Sequence, residues 1–576
     1  MKKIVDVPLA TALRASLRGY SFAMFRHDIL AAFVISLIAL PLSMALAIAV
    51  GLPPQHGIYT AVVAGIIVPL LGGSIWQVSG PTAAFVVVLS PIVSAFGLRG
   101  IIWAGILAGI ILLGMGFARL GRLINYVPYP VTTGFTAGIA VVLATLSLND
   151  FLGLGLTHLE GAFIDKLMQI ITHLQDTQLP TLAVGVVTLV LVFTANHVIR
   201  FLPSAIIAIV AGTLLALLLS HFGYDVVTIG SKFSYPNMHG ETVSGIPPYP
   251  PIFTLPTFTP DTLFSIPSLE EFRILLFPAM TIAILAAIES LLSATVADSM
   301  AGTKHDPNAE LNAIGIGNIL SALAAGIPAT GAIARTATAI NAGARTPLAS
   351  SIHALLIMLY VMLLAPYISY IPMAALAALL IHTAYRMSHY KQFIRTLQIA
   401  PRSDVIVLLV CFTLTVFIDM VAGVGIGMIC AVFLLMNRIT ALTRIEVEGS
   451  GDGISDVSQK LPKGTMLYRI RGPLFFGTIE KAFDRYRFTH DYINRFILDI
   501  RDVPFIDMTG LVAIKSLLTS IAHEERQVYI LCNTEEVLNK IQKKISDHRM
   551  VEFVHFHHDL EEILRMDNRV SPSDAS

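Results

Sequence analysis

The chain has 576 residues, 55% of them hydrophobic and only 13% charged, with a mean hydropathy of +0.74. A soluble protein carries about 25% charged residues, so a wholly soluble chain is excluded and a lipid-facing surface is required. Lys and Arg total 38, as do Asp and Glu, and this balance argues against a nucleic-acid partner.

Lys2 and Lys3 precede a mixed, polar stretch rather than a short apolar one, so no cleavable signal peptide is expected. Residues 1–28 read as a cytoplasmic N-terminal segment. Apolar runs then recur to about Arg438, roughly fourteen in number and several of them short or broken by Gly and Pro. The clearest cover 29–50, 101–118, 181–199, 205–221, 275–297, 347–366, 404–420 and 421–437. Arg14, Arg18, Arg26, Arg119, Arg122, Arg200, Lys304, Arg345, Arg386, Lys391, Arg395, Arg402, Arg438 and Arg444 fall at one membrane face. The other face carries few basic residues, such as Arg99, Lys166 and Lys232. The positive-inside rule then expects both termini in the cytoplasm of a multi-pass plasma-membrane protein, the inner membrane in a bacterium. The Pro-rich stretch 246–260 falls in the longest external loop.

The transmembrane domain is expected over 29–444, followed by a Gly-, Asp- and Lys-containing linker over 445–465. Residues 466–566 alternate short strands (MLYRI, FILDI, VYILCN, VEFVHF) with amphipathic helices, the first from about Thr478. That rhythm predicts a small cytoplasmic α/β domain, with 567–576 as a tail. Cys411, Cys430 and Cys532 lie far apart without metal or redox spacing and read as apolar residues. No metal-ligand cluster, phosphate loop or nucleophile–base arrangement is present, so neither a cofactor nor an enzyme is expected.

Two short segments point to chemistry. SGPTAAF at 79–85 and GIPATGAIARTATAINAG at 326–343 are too short or too rich in small residues to span alone. Both read as half-helices opening after Gly and Pro, and such a pair in corresponding halves of a transporter marks a midplane binding site. A helix N-terminus leaves several N–H donors unpaired and carries about half a positive charge, so two facing N-termini make an anion site. Ser79, Gly80, Pro81, Thr82 and Ala83 of the first and Thr330, Gly331 and Ala332 of the second are the expected substrate-binding residues. Arg335 adds a cation to a neutral segment and needs a local partner or an anionic ligand. Close helix packing is the plain alternative for one such segment; two in matching positions, one bearing an Arg, favour a site.

Glu289 is the one ionisable residue between Arg273 and Asp298. Intramembrane carboxyls usually line a pathway, and Ser293 lies one helical turn away on the same face. A protonated, structural carboxyl is the alternative. Asp419, near a span end, is balanced between interfacial anchor and function, and His353 and His382 read as packed.

The segments 40–61, 72–85, 126–138, 286–319 and 328–347 together resemble the sulfate permease (SulP) family of anion transporters, which includes the animal prestin-like carriers. The resemblance runs from about Asp28 to about Met566. It implies an all-α membrane domain of fourteen segments in a seven-plus-seven inverted repeat, divided into core and gate. It also implies a C-terminal STAS domain, a homodimer and an elevator-like movement of the core. Glu289 would be the coupling residue, with Ser293 beside it, and Arg335 would supply positive potential. FIDMTGL at 505–511 is similar to the STAS loop that carries a phosphorylatable hydroxyl, which makes Asp507 and Thr509 candidate regulatory residues. Family members often place Gln after the Pro of the first span, where this chain has Leu42, so a more apolar pocket is expected. Residues 289–311 are similar to the bacterial four-carbon dicarboxylic acid transporter of the family. The expected activity is therefore proton-coupled uptake of succinate- or fumarate-like anions. Sulfate or bicarbonate transport with protons or sodium, or an anion channel, is the alternative. A signalling scaffold working through the STAS domain is a further one, disfavoured by the two broken helices.

Overall fold

The computed structural model describes residues 9–567 apart from 157–158, 160, 199–201, 238–240, 258, 260–261, 419, 450–460, 462–463, 480–492, 525 and 545–551. The chain divides into two compact units, residues 1–428 and 429–576.

The first unit is helical. A short α1 (Thr11–Ser16) precedes α2 (Phe22–Val50), α3 (Pro54–Leu71), the two-residue strand β1 (Ser79–Gly80) and α4 (Ala84–Phe117). Then come α5 (Tyr129–Leu152), α6 (Phe163–Thr172), α7 (Leu179–Val198), α8 (Ser204–His221), α9 (Ile229–Lys232) and a hairpin of β2 (Ser234–Pro236) and β3 (Thr242–Ser244). The second half runs through α10 (Leu269–Ala301), α11 (Pro307–Leu323), β4 (Thr330–Gly331), α12 (Ile333–Asn341), α13 (Leu348–Ile368) and α14 (Met373–Met387). It closes with α15 (Tyr390–Ile399), α16 (Arg402–Phe417) and α17 (Met420–Leu442), which runs into the second unit.

Eight of the described helices are long and apolar enough to cross a membrane. The remaining passes are shorter or broken, which is why periodicity alone counts them poorly. α4 is two segments joined at Gly97, whose φ of 59° and ψ of −155° suit glycine. With α4 divided there, α2, α3, both parts of α4, α5, α7 and α8 form one set of seven, and α10 to α14, α16 and α17 the other. β1 and β4 occupy matching places in the two sets and pair antiparallel. That pairing is what inverted repeats require, because the two chains enter the midplane from opposite faces. α2, α3, α4 and α10 to α13 pack on one another as a core, while α5, α7, α8, α14 and α16 pack as a second body.

The first span begins earlier than the expected residue 29. Ser21 caps α2 through Met24 N, and Asp28 is completely buried inside that helix. Asp28 accepts from the backbone N–H groups of Arg345 (2.7 Å) and Thr346 (3.1 Å) and from the Thr346 hydroxyl (2.6 Å). Asp419 lies outside the described residues.

The second unit holds a five-stranded sheet ordered β5 (Arg444–Gly449), β6 (Thr465–Arg471), β7 (Arg495–Asp499), β8 (Gln527–Leu531) and β9 (Val554–His557). β5 is antiparallel to β6 and the other neighbours are parallel. Helices α18 (Met508–His523), α19 (Glu535–Lys544) and α20 (Leu560–Asp567) accompany it. The stretch assigned to a linker thus opens with an edge strand, since Ile445 and Val447 pack on the sheet's core. Most of the helix expected from about Thr478 lies outside the described residues.

Candidate anion site

Ser79 lies opposite Gly331 and Gly80 opposite Thr330 in the β1–β4 pairing, extended by Ala332 N donating to Val78 O at 2.8 Å. Immediately beyond each strand a helix begins, α4 after Ala83 and α12 after Ala332, and neither N-terminus has a side-chain cap. Alanine supplies no oxygen, so no side chain satisfies the first N–H groups of either helix; in α4 those of Phe85 and Val86 turn instead to Thr82 O at 3.3 Å and Ala83 O at 3.1 Å. The β1–β4 pairing brings the segments Ser79 to Ala83 and Thr330 to Ala332 together.

Arg335, in the first turn of α12, is 2% exposed. Its Nη2 donates to Pro81 O at 3.2 Å, while Nε and Nη1 are buried without a partner among the described residues. The Ser79 hydroxyl is buried and unpartnered as well. A buried cation with two idle nitrogens is expensive unless an anion completes it. Gly80 makes room for it: a Cβ there would stand 2.7 Å from Arg335 Nη1.

Glu289 bridges the two half-helices. The hydroxyls of Thr82 (2.7 Å) and Thr330 (2.8 Å) both donate to its Oε2 and lie 3.1 Å from each other. Its side chain is half-buried, and among the described residues no donor reaches Oε1. Arg335 forms no ion pair with it among the described residues. Next along α10, Ser290 accepts from Gly331 N at 2.9 Å. Ser293 turns to α12, donating to the Thr336 hydroxyl at 3.2 Å, which also accepts from Val78 N. Asp298 is engaged by His305 Nδ1 (2.7 Å) and the Thr303 hydroxyl (2.8 Å). Leu42 follows the buried Pro41 midway along α2 and is half-buried.

Two further groups escape a reading of charge in apolar runs. Glu310, 1% exposed on the first turn of α11, accepts from Gly73 N (2.9 Å), Ser74 N (3.0 Å) and Gln77 Nε2 (2.8 Å). It clamps the loop that feeds β1. In the other repeat the first turns of α3 clamp the loop that feeds β4: His56 Nδ1 lies 2.6 Å from Ala325 O and the Thr60 hydroxyl donates to Ile327 O at 2.8 Å. Glu310 sits in NAEL beside a Pro-initiated helix start, a polar context that reads as a cap, and only tertiary contact reveals the clamp. His353 is buried and His382 lies edge-on to Phe193, 4.9 Å between ring centroids. No cluster of three or more His, Cys, Asp or Glu that could hold a metal occurs among the described residues.

Residues 25–411 match the sulfate permease family and residues 457–563 match the STAS domain. The chain belongs to the sulfate permease family. Among its relatives in that family, the putative sulfate transporter YvdB of Bacillus subtilis is 37% identical over 80% of this chain and 83% of its own. The bicarbonate transporter BicA of Picosynechococcus is 27% identical, with 91% of each chain covered. The structure of the murine Slc26a9 anion transporter in the inward-facing state shares the fold, with a TM-score of 0.82 over 97% of this chain and 94% of that one, at 18% identity. An anion transporter of this family, built as an inverted-repeat membrane unit plus a STAS domain, is thereby established. These relatives are named for sulfate and bicarbonate, so they favour the inorganic-anion alternative over the dicarboxylate preference expected from residues 289–311.

In the STAS unit Asp507 caps α18, its Oδ1 accepting from Gly510 N at 2.7 Å and its Oδ2 from Phe476 N at 3.1 Å. Thr509 follows in the first helical turn, exposed.

Proposed function

We propose that the chain is a secondary carrier of small inorganic oxyanions, of the bicarbonate or sulfate class, bound where β1 crosses β4 and coupled to protons through Glu289. The observation that carries this reading is the buried Arg335 with Nε and Nη1 unpartnered between two uncapped helix N-termini. An oxyanion supplies the acceptors that this guanidinium lacks, and it meets the positive ends of two helices that no side chain caps. Glu289 ties the proton to the same place. Ionised, it accepts from both Thr82 and Thr330 and repels an incoming anion; protonated, it loses that repulsion and becomes a donor itself. Anion and proton then load together, because coupling free energies are reciprocal. The body formed by α5, α7, α8, α14 and α16 offers the frame past which the core carries the anion in an elevator-like step. Cytoplasmic termini, a homodimer and a STAS domain that tunes transport through Asp507, Thr509 and a protein partner complete the reading.

Four-carbon dicarboxylates are the second reading, favoured by Leu42, an apolar side chain that suits a substrate with its own hydrocarbon. Uptake of labelled bicarbonate, sulfate, succinate and fumarate into proteoliposomes tests both, under an imposed pH gradient and then a sodium gradient. Saturable accumulation of an inorganic anion driven by the pH gradient is expected. Accumulation of succinate alone would select the second reading, dependence on sodium would replace the proton, and flux that never concentrates the anion would mean a channel.

A further inference from the structure

Outside the β1–β4 crossing, a cavity of about 550 Å³ opens at the membrane face where α2 and α5 end and α14 begins. Ala45 and Ile48 of α2, Ser90 and Ser94 of α4, Ser147 and Asn149 of α5 and Met373 of α14 are among its lining residues. Ala45 is three residues beyond Leu42 and Ser90 eight beyond Thr82, so along the helices the cavity stops roughly 5–12 Å short of the central site. It occupies the seam between the core helices and the second helical body.

Its charge is the informative feature. Asp150, Lys166 and Lys232 are its ionisable lining residues. Lys232 Nζ lies 2.9 Å from Asp150 Oδ1, so that pair cancels. Arg99, at the same face but outside the cavity, is neutralised by Glu271 at 3.1 Å. Lys166, on the amphipathic helix α6, is half-buried, and its ammonium has no hydrogen-bond or ion-pair partner among the described residues. Among the described residues the cavity therefore holds one uncompensated positive charge. The hydroxyls of Ser94 and Ser147 donate to carbonyls of their own helices, at 3.1 and 2.8 Å, and the Asn149 amide donates to Leu156 O at 2.9 Å, so the ammonium is the group left to hold an anion. With a water occupying about 30 Å³, its volume admits an oxyanion together with its hydration shell.

We propose that this cavity is a second anion site, in which the Lys166 ammonium holds a hydrated oxyanion before it passes to the β1–β4 crossing. The proposal rests on that crossing being the translocation site. Because the held anion keeps its water, affinity is low and acts mainly by concentrating substrate at one face, an effect that added salt screens.

The test is initial-rate uptake of labelled sulfate and bicarbonate in intact cells and in inside-out vesicles, with the full-length protein. Lys166→Gln should raise KM about fivefold in one of the two preparations and leave it unchanged in the other, with kcat within about twofold. Raising ionic strength from about 20 to about 300 mM should shrink that difference to below about twofold. Lys166→Arg should behave as wild type. Lys166→Cys should match the Gln variant and recover on aminoethylation of the new thiol, with treated wild type controlling for Cys430. An unchanged KM in both preparations, an equal rise in both, or no recovery on restoring the charge would each overturn the proposal. If neither neutral variant inserts, wild type decides, since a KM independent of ionic strength at both faces also overturns it. Failure of the central site would look different: Arg335→Ala and Glu289→Gln would transport normally whatever Lys166 does.

Discussion

Glu289 and Glu310 are both carboxyls in the apolar unit, one well inside α10 and the other on the first turn of α11, and their surroundings differ. Glu310 is closed off, with backbone N–H groups on one oxygen and the Gln77 amide on the other. Glu289 is half-open, with two hydroxyls on Oε2 and, among the described residues, no donor on Oε1. Thr hydroxyls rotate and can accept as readily as donate, whereas backbone N–H groups can only donate. Glu310 is thus locked as an acceptor that fixes the loop before β1, while Glu289 sits among partners that tolerate a change of protonation. The same contrast separates Arg335, with one hydrogen bond among the described residues, from the charges of the STAS sheet. There Asp499, 2% exposed, is held by Arg469 Nε at 2.9 Å and by Arg501 Nε and Nη2 at 3.0 Å each. In the proposed function, the fuller partnering of Glu310 and Asp499 belongs to scaffold, and the sparser partnering of Glu289 and Arg335 to the place where a ligand would enter.

The harshest way to break this comparison is Glu310→Ala. It strands three buried donors at about 1–3 kcal/mol each, enough to lose folded, monodisperse protein from detergent extracts. A Glu310→Ala protein that purifies and melts like wild type would put Glu310 on a par with Glu289. Glu289→Gln should do the reverse, keeping its melting temperature within a few degrees and still exchanging anion across the membrane. Accumulation driven by external acidity should vanish, and full pH-driven accumulation in this variant would make the carboxyl structural. Arg335→Ala should weaken apparent anion affinity about tenfold or more, from a lost charge-assisted contact of about 1.5–3 kcal/mol. Concentration dependence of uptake reads this directly, and an unaltered KM would reduce Arg335 to a packing role.

Gly80→Ala probes the same guanidinium more gently. The new Cβ must push Arg335 Nη1 aside from 2.7 Å, so KM should rise severalfold with less effect than Arg335→Ala. Asp499→Asn sharpens the comparison from the other unit and should leave KM untouched. It should lower STAS stability by about 2–4 kcal/mol, because a buried ion cluster loses its centre. Burial alone would raise the Asp499 carboxyl, but Arg501 and Arg469 outweigh it and hold the group below its ordinary range. Its stabilisation is accordingly full above the ordinary carboxyl pKa and fades as pH falls through the depressed folded value. The wild-type unit should lose this increment on acidification, seen as a steeper fall of its melting temperature below about pH 4 than in Asp499→Asn.

Much of the site was legible in the residues themselves. A short apolar segment interrupted by Gly and Pro cannot span a bilayer as one helix, so 79–85 and 326–343 declare themselves by length alone. Glu289 and Arg335 stand out because charge in an apolar run is costly wherever it sits. The family motifs, the unit order and the alternating strands of the STAS sheet are likewise local properties. What folding alone decided is who faces whom. Sequence does not say that Glu289 takes its hydrogen bonds from Thr82, 207 residues away, and Thr330, that Arg335 turns to Pro81, or that Ser293 serves Thr336. Nor does it mark Glu310 and Asp28 as clamps on loops more than 230 and 310 residues distant. Hydropathy reports how much a side chain dislikes water, whereas these roles depend on the direction of individual donors and acceptors. Such directions exist only once two inverted halves have crossed.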